Sequence, residues 1–250
     1  MSKSLGGFLF IKDGDKYDYC YRESIKSLLE FCDQVSICVV ESEDNTVDVV
    51  NEMAAVNDKL IVTYVPLTMW EGQKGKFKLA FFQNIAMERL ETDYQYLQQA
   101  DEITNESCYN TIRQAMKTDQ EGFLITRINL WGDPFHQLDV PQYRKPCSTE
   151  VIRLTKRGCP TYGDGESCNA QAVDWFLKSI RMVHMGYVRK KEIHPSKIRE
   201  MQGNIFQCGI DEKLNGMEVF DSTKWFGPED LKPLDEPLPR LIQSWAMERM

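Results

Sequence analysis

Four short apolar runs, each closed by a polar turn and followed by residues at helical spacing, fill the first part of the chain. They are Gly7–Ile11, Val35–Val40, Lys59–Val65 and Tyr94–Gln99. Each is too short for a helix of ordinary length and rich in β-branched or aromatic residues, so each reads as a buried strand. Between them, Ile25, Leu28, Leu29 and Cys32 fall at i, i+3, i+4 and i+7. Val47, Val50 and Ala54 share one helical face, as do Leu79, Phe82, Ala86 and Leu90, and residues 105–116 read as a further helix. Strands alternating with helices through short turns predict a mostly parallel sheet with helices on its faces. The crossovers are then right-handed, and the turns at Lys12, Glu41, Pro66 and Gln99 share one edge, where such sheets bind ligands.

The second half is less regular. Residues 122–132 and 149–158 read as longer, antiparallel strands, and residues 169–180 as a helix. Beyond Gly227 the chain is rich in proline and acid and reads as an arm wrapped over the domain. The predicted organisation is one α/β domain over 1–200, with a first half of about 1–120 and a second of about 121–200. Residues 201–250 form an extension packed on it. No internal repeat or low-complexity segment interrupts this order.

Composition narrows the classes. The 250 residues are 42% hydrophobic, enough for a sizeable core, and carry a net charge of −8. That charge argues against a general nucleic-acid binder, which displaces counterions with a basic surface. The N-terminal apolar stretch is too short for a signal sequence or a membrane span, which predicts a cytoplasmic chain. Eight cysteines without a CxxC pair argue against a zinc ribbon or dithiol site and read as reduced, mostly buried thiols.

The segment Tyr96–Glu106, YLQQADEITNE, carries the chemistry. A buried strand runs out into Gln99, Asp101 and Glu102, with no basic residue beside them in sequence. An isolated acidic pair is usually a solvated face or a turn cap. At a strand's carboxyl end it also suits a hard divalent cation, Mn²⁺ or Mg²⁺, completed by water and substrate phosphate oxygens. Lys74, Lys76 and Lys78 flank two glycines and could meet phosphate as point charges, as could Arg189, Lys190 and Lys191. Trp70 and Trp131 are candidates for a sugar or acceptor wall, though tryptophans are more often simply packed.

These elements together resemble the nucleotide-binding half of a GT-A glycosyltransferase of the family-2 type. The resemblance rests on Ser42-Glu43-Asp44-Asn45-Thr46 after the second strand and on Gln83-Asn84 on a helix. It rests further on Gln99-Ala100-Asp101-Glu102 where that family has its D-x-D element, and on Lys16–Tyr19, Glu23–Ile25 and Cys32-Asp33 near the N-terminus. It covers roughly residues 7–195. It implies a metal-dependent, inverting transfer of sugar from a nucleotide-diphosphate sugar, UDP-linked by expectation, to an acceptor hydroxyl. Base and ribose are expected near Ile11, Lys12, Glu41 and Asn84. Gln99, replacing the first Asp of the motif, retains a ribose contact, and Lys76 meets the diphosphate. Asp101 ligates the metal. His184 joins it through an H-x-G element, His184-Met185-Gly186, whereas the residue alone would read as a packed histidine at a helix end. Asp164, with Glu166 in reserve, is the general base in a glycine-rich turn that would otherwise be a surface turn. The resemblance leaves the acceptor open among glycan, protein, lipid, small molecule and modified nucleic-acid base, and the oligomeric state undefined. The rival is a non-catalytic sugar-nucleotide or partner-binding protein on the same scaffold, favoured by Gln99. A nucleotidyltransferase fits poorly, since residues 12–18 hold one glycine and two lysines where such enzymes have a glycine-rich basic loop.

Overall fold

The computed structural model describes residues 3–249. In chain order the first half comprises β1 (Leu5–Ile11), α1 (Tyr21–Phe31), β2 (Gln34–Val40), α2 (Thr46–Ala55), β3 (Leu60–Val65), α3 (Leu67–Gly72), α4 (Phe77–Met87) and β4 (Tyr94–Leu97). Then follow β5 (Glu102–Thr104), α5 (Tyr109–Lys117), β6 (Gly122–Trp131), β7 (Asp133–Leu138), β8 (Glu150–Lys156), β9 (Thr161–Tyr162), β10 (Ser167–Cys168), β11 (Ala172–Val173) and β12 (Arg181–His184). The chain closes with α6 (His194–Glu200), β13 (Leu231–Pro233) and α7 (Gln243–Met247).

The main sheet runs β3-β2-β1-β4-β8-β6-β7-β13. Strands β1 to β4 are mutually parallel where they pair, and β8, β7 and β13 enter antiparallel. The result is a mixed α/β sheet flanked by helices, consistent with a GT-A-like fold. All four parallel strands end on one edge, as their order requires.

Side-chain alternation divides the first half into two cores. Leu5, Leu9 and Ile11 of β1, with Val35, Ile37 and Val39 of β2, face α1, α2 and α5. Phe8, Cys38 and Val40 face the opposite way, against Leu79, Phe82 and Ala86 of α4. Gly6 and Gly7 allow the close approach this needs. A Cβ at Gly7 would lie 2.8 Å from Leu28, and one at Gly6 would lie 2.6 Å from the Thr92 hydroxyl. Of the eight cysteines, all are free, six are buried and Cys208 is exposed.

Two local expectations change. Residues 169–180 form no helix: β11 pairs with the start of β6 and a run of turns follows. Ladder bonds to an open strand edge outweigh a short helical pattern, and Trp175 stays exposed. The fourth strand also stops at Leu97, because Gln98 turns inward. Its amide donates to the Ser24 carbonyl (2.9 Å) and accepts from the Thr104 hydroxyl (2.7 Å), fixing the turn that carries Asp101.

The C-terminal stretch returns across the domain. β13 adds to β7, and Ile242 and Ala246 join a core with Ile103, Ile128 and Val183. Arg249 grips the carboxylate of Asp18 through Nε (2.8 Å) and Nη2 (2.5 Å).

Candidate functional site

A cavity of about 410 Å³ opens at the carboxyl ends of β1 and β4. β1 contributes Ile11 and the turn after it Lys12, and the turn after β4 contributes Gln99 and Asp101. The loop between β9 and β10 brings Asp164 and Glu166, β12 ends in it with His184, and α6 supplies Lys197. A single-turn π-helical stretch, Met201–Ile205, continues α6 and completes the wall. The cavity therefore draws on both halves and on residues beyond 200.

Register explains the first cluster. β5 pairs antiparallel with β12 so that Glu102 lies opposite His184, and β12 pairs parallel with β6 so that His184 lies beside Asn129. The Met185 amide donates to the Asp101 carbonyl at 2.8 Å, which sets the Asp101 turn against the end of β12. His184 thus terminates a strand rather than a helix. Its Nδ1 sits 2.9 Å from the Asn129 Oδ1. That oxygen only accepts, so the ring carries its proton on Nδ1 and leaves the Nε2 lone pair free. Burial pushes the imidazole pKa down to about 4, so the ring is neutral at neutral pH. Nε2 lies 3.8 Å from the Asp101 Oδ1. Gly186 leaves room for this edge of the ring, since a Cβ there would come within 2.4 Å of Nε2.

The two carboxylates of the YLQQADEITNE segment have separate fates, and neither stands without a cation. Asp101, 7% exposed, accepts from the Arg189 Nη2 at 2.8 Å through Oδ2. Burial opposes its ionisation, but His184, Arg189 and Lys197 outweigh burial and hold its pKa below the usual carboxylate range. Glu102 is fully buried beneath the site. Its Oε1 accepts from Arg153 (2.6 Å) and Arg127 (3.3 Å), and its Oε2 accepts from the Gln99 backbone N–H (2.8 Å). The reading of Glu102 as a solvent-facing or metal-facing residue is therefore corrected: it is an internal counter-ion. Basic partners distant in sequence replace the missing basic neighbours.

The loop bearing the candidate base is tied to the same network. Arg127 donates to the Glu166 Oε1 at 2.7 Å, and the Ser148 hydroxyl donates to its Oε2 at 3.1 Å. Burial would raise the Glu166 pKa, but Arg127 outweighs it and keeps the carboxylate ionised. The Gln99 side-chain Nε2 donates to the Gly165 carbonyl at 3.3 Å. Asp164 lines the cavity, its Oδ1 accepting only a long 3.4 Å bond from the Glu166 amide. Of the two acids, Asp164 has no cationic partner within 4.0 Å among the described residues, whereas Glu166 is held by one.

Of the other expected residues, Glu41, Asn84, Lys76 and Trp131 lie away from the cavity wall, whereas Lys12 and Trp70 line it. Glu41 accepts from the Leu67 amide at 3.0 Å, capping the start of α3. Asn84 clamps Thr161, accepting from its amide at 2.8 Å and donating to its carbonyl at 3.0 Å, and so holds β9 against α4. Lys76 is exposed, 6.0 Å above the Phe77 ring. Lys12 reaches the cavity but is paired with Asp13. Trp70 lines the cavity, with Lys78 4.4 Å over its ring, whereas Trp131 packs on Tyr187 and Phe226. Sequence reasoning missed Asn129 and Lys197 altogether. Nothing local marks them: the first is named only by register, the second only by the path of α6.

Among the described residues no three His, Cys, Asp or Glu side chains converge as a self-sufficient metal site. Asp101 Oδ1 and His184 Nε2 nonetheless make a donor pair that suits Mn²⁺ when ligand oxygens supply the remaining positions. A neutral imidazole oriented by a hydrogen bond on its far nitrogen is the form that binds metal.

No family model and no curated protein matches the chain. Solved structures similar to it include TarS of S. aureus, at 13% identity and TM-score 0.46, covering 80% of this chain and 40% of that one. A shorter TarS form in complex with UDP aligns at 11% identity and TM-score 0.41, covering 78% and 63%. The mannosyltransferase PcManGT from Pyrobaculum calidifontis, in complex with GDP-Man and Mn²⁺, aligns at 16% and TM-score 0.47, covering 81% and 62%. The chain thus spans less than two thirds of the length of these structures. No helix among the described residues is long and apolar enough to cross a membrane.

Proposed function

We propose that the protein is a glycosyltransferase that moves a sugar from a nucleotide-diphosphate sugar, UDP-linked by preference, to an acceptor hydroxyl with inversion. The observation that carries this reading is the pairing of two differently wired carboxylates across one cavity. Asp101 is ionised and sits 3.8 Å from a lone-pair-bearing imidazole, and Asp164 faces the same space without a cation of its own. One set suits the donor's diphosphate side, the other the acceptor's proton.

In the proposed step the acceptor oxygen attacks the anomeric carbon as the bond from that carbon to the diphosphate oxygen breaks, and Asp164 takes the acceptor's proton. Asp101 and His184 would hold Mn²⁺, or less suitably Mg²⁺, which when bound supplies positive charge against the leaving diphosphate. Arg127 and Glu166 keep the Asp164 loop in place, and Asn129 keeps the His184 lone pair aimed into the cavity.

The test is donor hydrolysis, which needs no knowledge of the acceptor. Asp164→Asn is expected to bind donor as wild type does and to turn it over about 10² to 10⁴ times more slowly. Glu166→Gln slowing hydrolysis while Asp164→Asn does not would move the base to Glu166. The ion pair between Arg189 and Asp101 favours a second reading, a non-catalytic binder of sugar nucleotides. Tight donor binding by wild type with neither hydrolysis nor transfer to any of a broad acceptor panel would establish it.

A further inference from the structure

Two cations, Arg189 and Lys197, share the field of one carboxylate, Asp101, and only Arg189 forms an ion pair with it. Of the cationic side chains lining the cavity, Lys12 is paired with Asp13, whereas Lys197 has no carboxylate within 4.0 Å among the described residues. It stands on α6, on the first turns of the stretch that the π-helical segment extends. Its ammonium lies 5.9 Å from the Tyr187 ring, and Arg189 nearby is already engaged by Asp101. Burial, reinforced by Arg189, pushes the lysine pKa down to about 8. Lys197 is half-buried, and a partly desolvated ammonium without an ion pair of its own destabilises the empty protein. Such a group is kept in a cavity when a ligand brings the opposite charge.

We propose that Lys197 is the anchor of a phosphoryl-anion subsite on α6 that works without a divalent cation, separate from the Asp101–His184 pair. The ligand chemistry is a phosphate oxyanion. It comes either from the donor's diphosphate, which deepens the transferase reading and rests on it, or from a phosphate carried by the acceptor. A lysine binds such an anion as a point charge, with less geometric demand than arginine, and so tolerates either.

The probe is inorganic pyrophosphate, titrated calorimetrically into the full chain in EDTA. Wild type is expected to bind it, Lys197→Met to bind it roughly tenfold or more weakly, and Lys197→Arg to retain most of the affinity. Because Asp101 keeps its ion pair with Arg189, Lys197→Met is expected to melt at the wild-type temperature or above it. A purely structural lysine would give the opposite. Displacement of pyrophosphate by a nucleoside diphosphate assigns the subsite to the donor, and simultaneous binding of both assigns it to the acceptor. Equal pyrophosphate affinity in wild type and Lys197→Met, or none in wild type, overturns the proposal. Pyrophosphate binding through Lys197 in a protein that neither binds nor turns over any sugar nucleotide would sink the transferase reading and leave the anion subsite standing.

Discussion

The two halves of the molecule hold themselves together by different physics. Up to β4, strands and helices bury alternating apolar faces, and apart from the Lys12–Asp13 pair at the cavity the ion pairs within this region sit at the rim. Arg22 bridges to Asp15 at 2.7 Å with 38% and 29% of the two side chains exposed, and Lys16 reaches Glu43 at 2.6 Å with 41% and 67% exposed. From β5 onward the cations move inside. Arg127 and Arg153 have fully buried side chains, share Glu102, and connect through Glu166 to the loop of the candidate base. A sheet packed on apolar residues needs only the right pattern to form. A site built on buried charge needs each partner in place, because any one left alone is costly.

That contrast can be broken by substitution. The largest effect is expected at the centre of the buried network. Arg127→Met leaves Glu166 without its cation and Glu102 with one of two, and is expected to cost about 3 to 5 kcal/mol of stability. Chemical denaturation measures this; a loss no greater than that of a rim substitution would show that the network does not hold the second half together.

A smaller effect is expected from acid. The folded His184 titrates near 4 and its unfolded form near the ordinary 6.5, so between those values the unfolded chain binds more protons. Stability from this group is therefore complete above about 6.5 and lost as pH falls toward 4, a span worth roughly 3 kcal/mol. His184→Gln should flatten this part of the stability profile between pH 7 and 4. An unchanged slope in the variant would mean that the imidazole is not buried neutral.

At the small end, Arg22→Met at the first-half rim should change stability by no more than about 1 kcal/mol and weaken further in its effect as salt rises. A loss comparable to that of Arg127→Met would erase the distinction between the halves.

The first half was legible because period and length suffice there. Gly7–Ile11, Val35–Val40 and Lys59–Val65 are strands in the structure within a residue or two, and their shared carboxyl edge follows from parallel order alone. Asp101 could be singled out for the same reason, since a polar residue at the end of a buried strand must face that edge. Elsewhere, local pattern ran out. A helical spacing over residues 169–180 yielded to an open edge of β6. The bonds of Asn84 to Thr161 and of Glu41 to the start of α3 also join segments that no local pattern connects.

What the sequence by itself determined is the parallel sheet, the edge on which its loops gather, and the acidic turn at that edge. These depend on burial of neighbours a few residues apart, which periodicity records. Tertiary structure alone decided which charge meets which. Arg189 reaches Asp101 across 88 residues, Arg153 reaches Glu102 across 51, and Asn129 orients His184 across 55. Such pairings follow from strand register and the path of distant loops. No spacing along the chain encodes them, because electrostatic partners in a low-dielectric interior are chosen by distance in space.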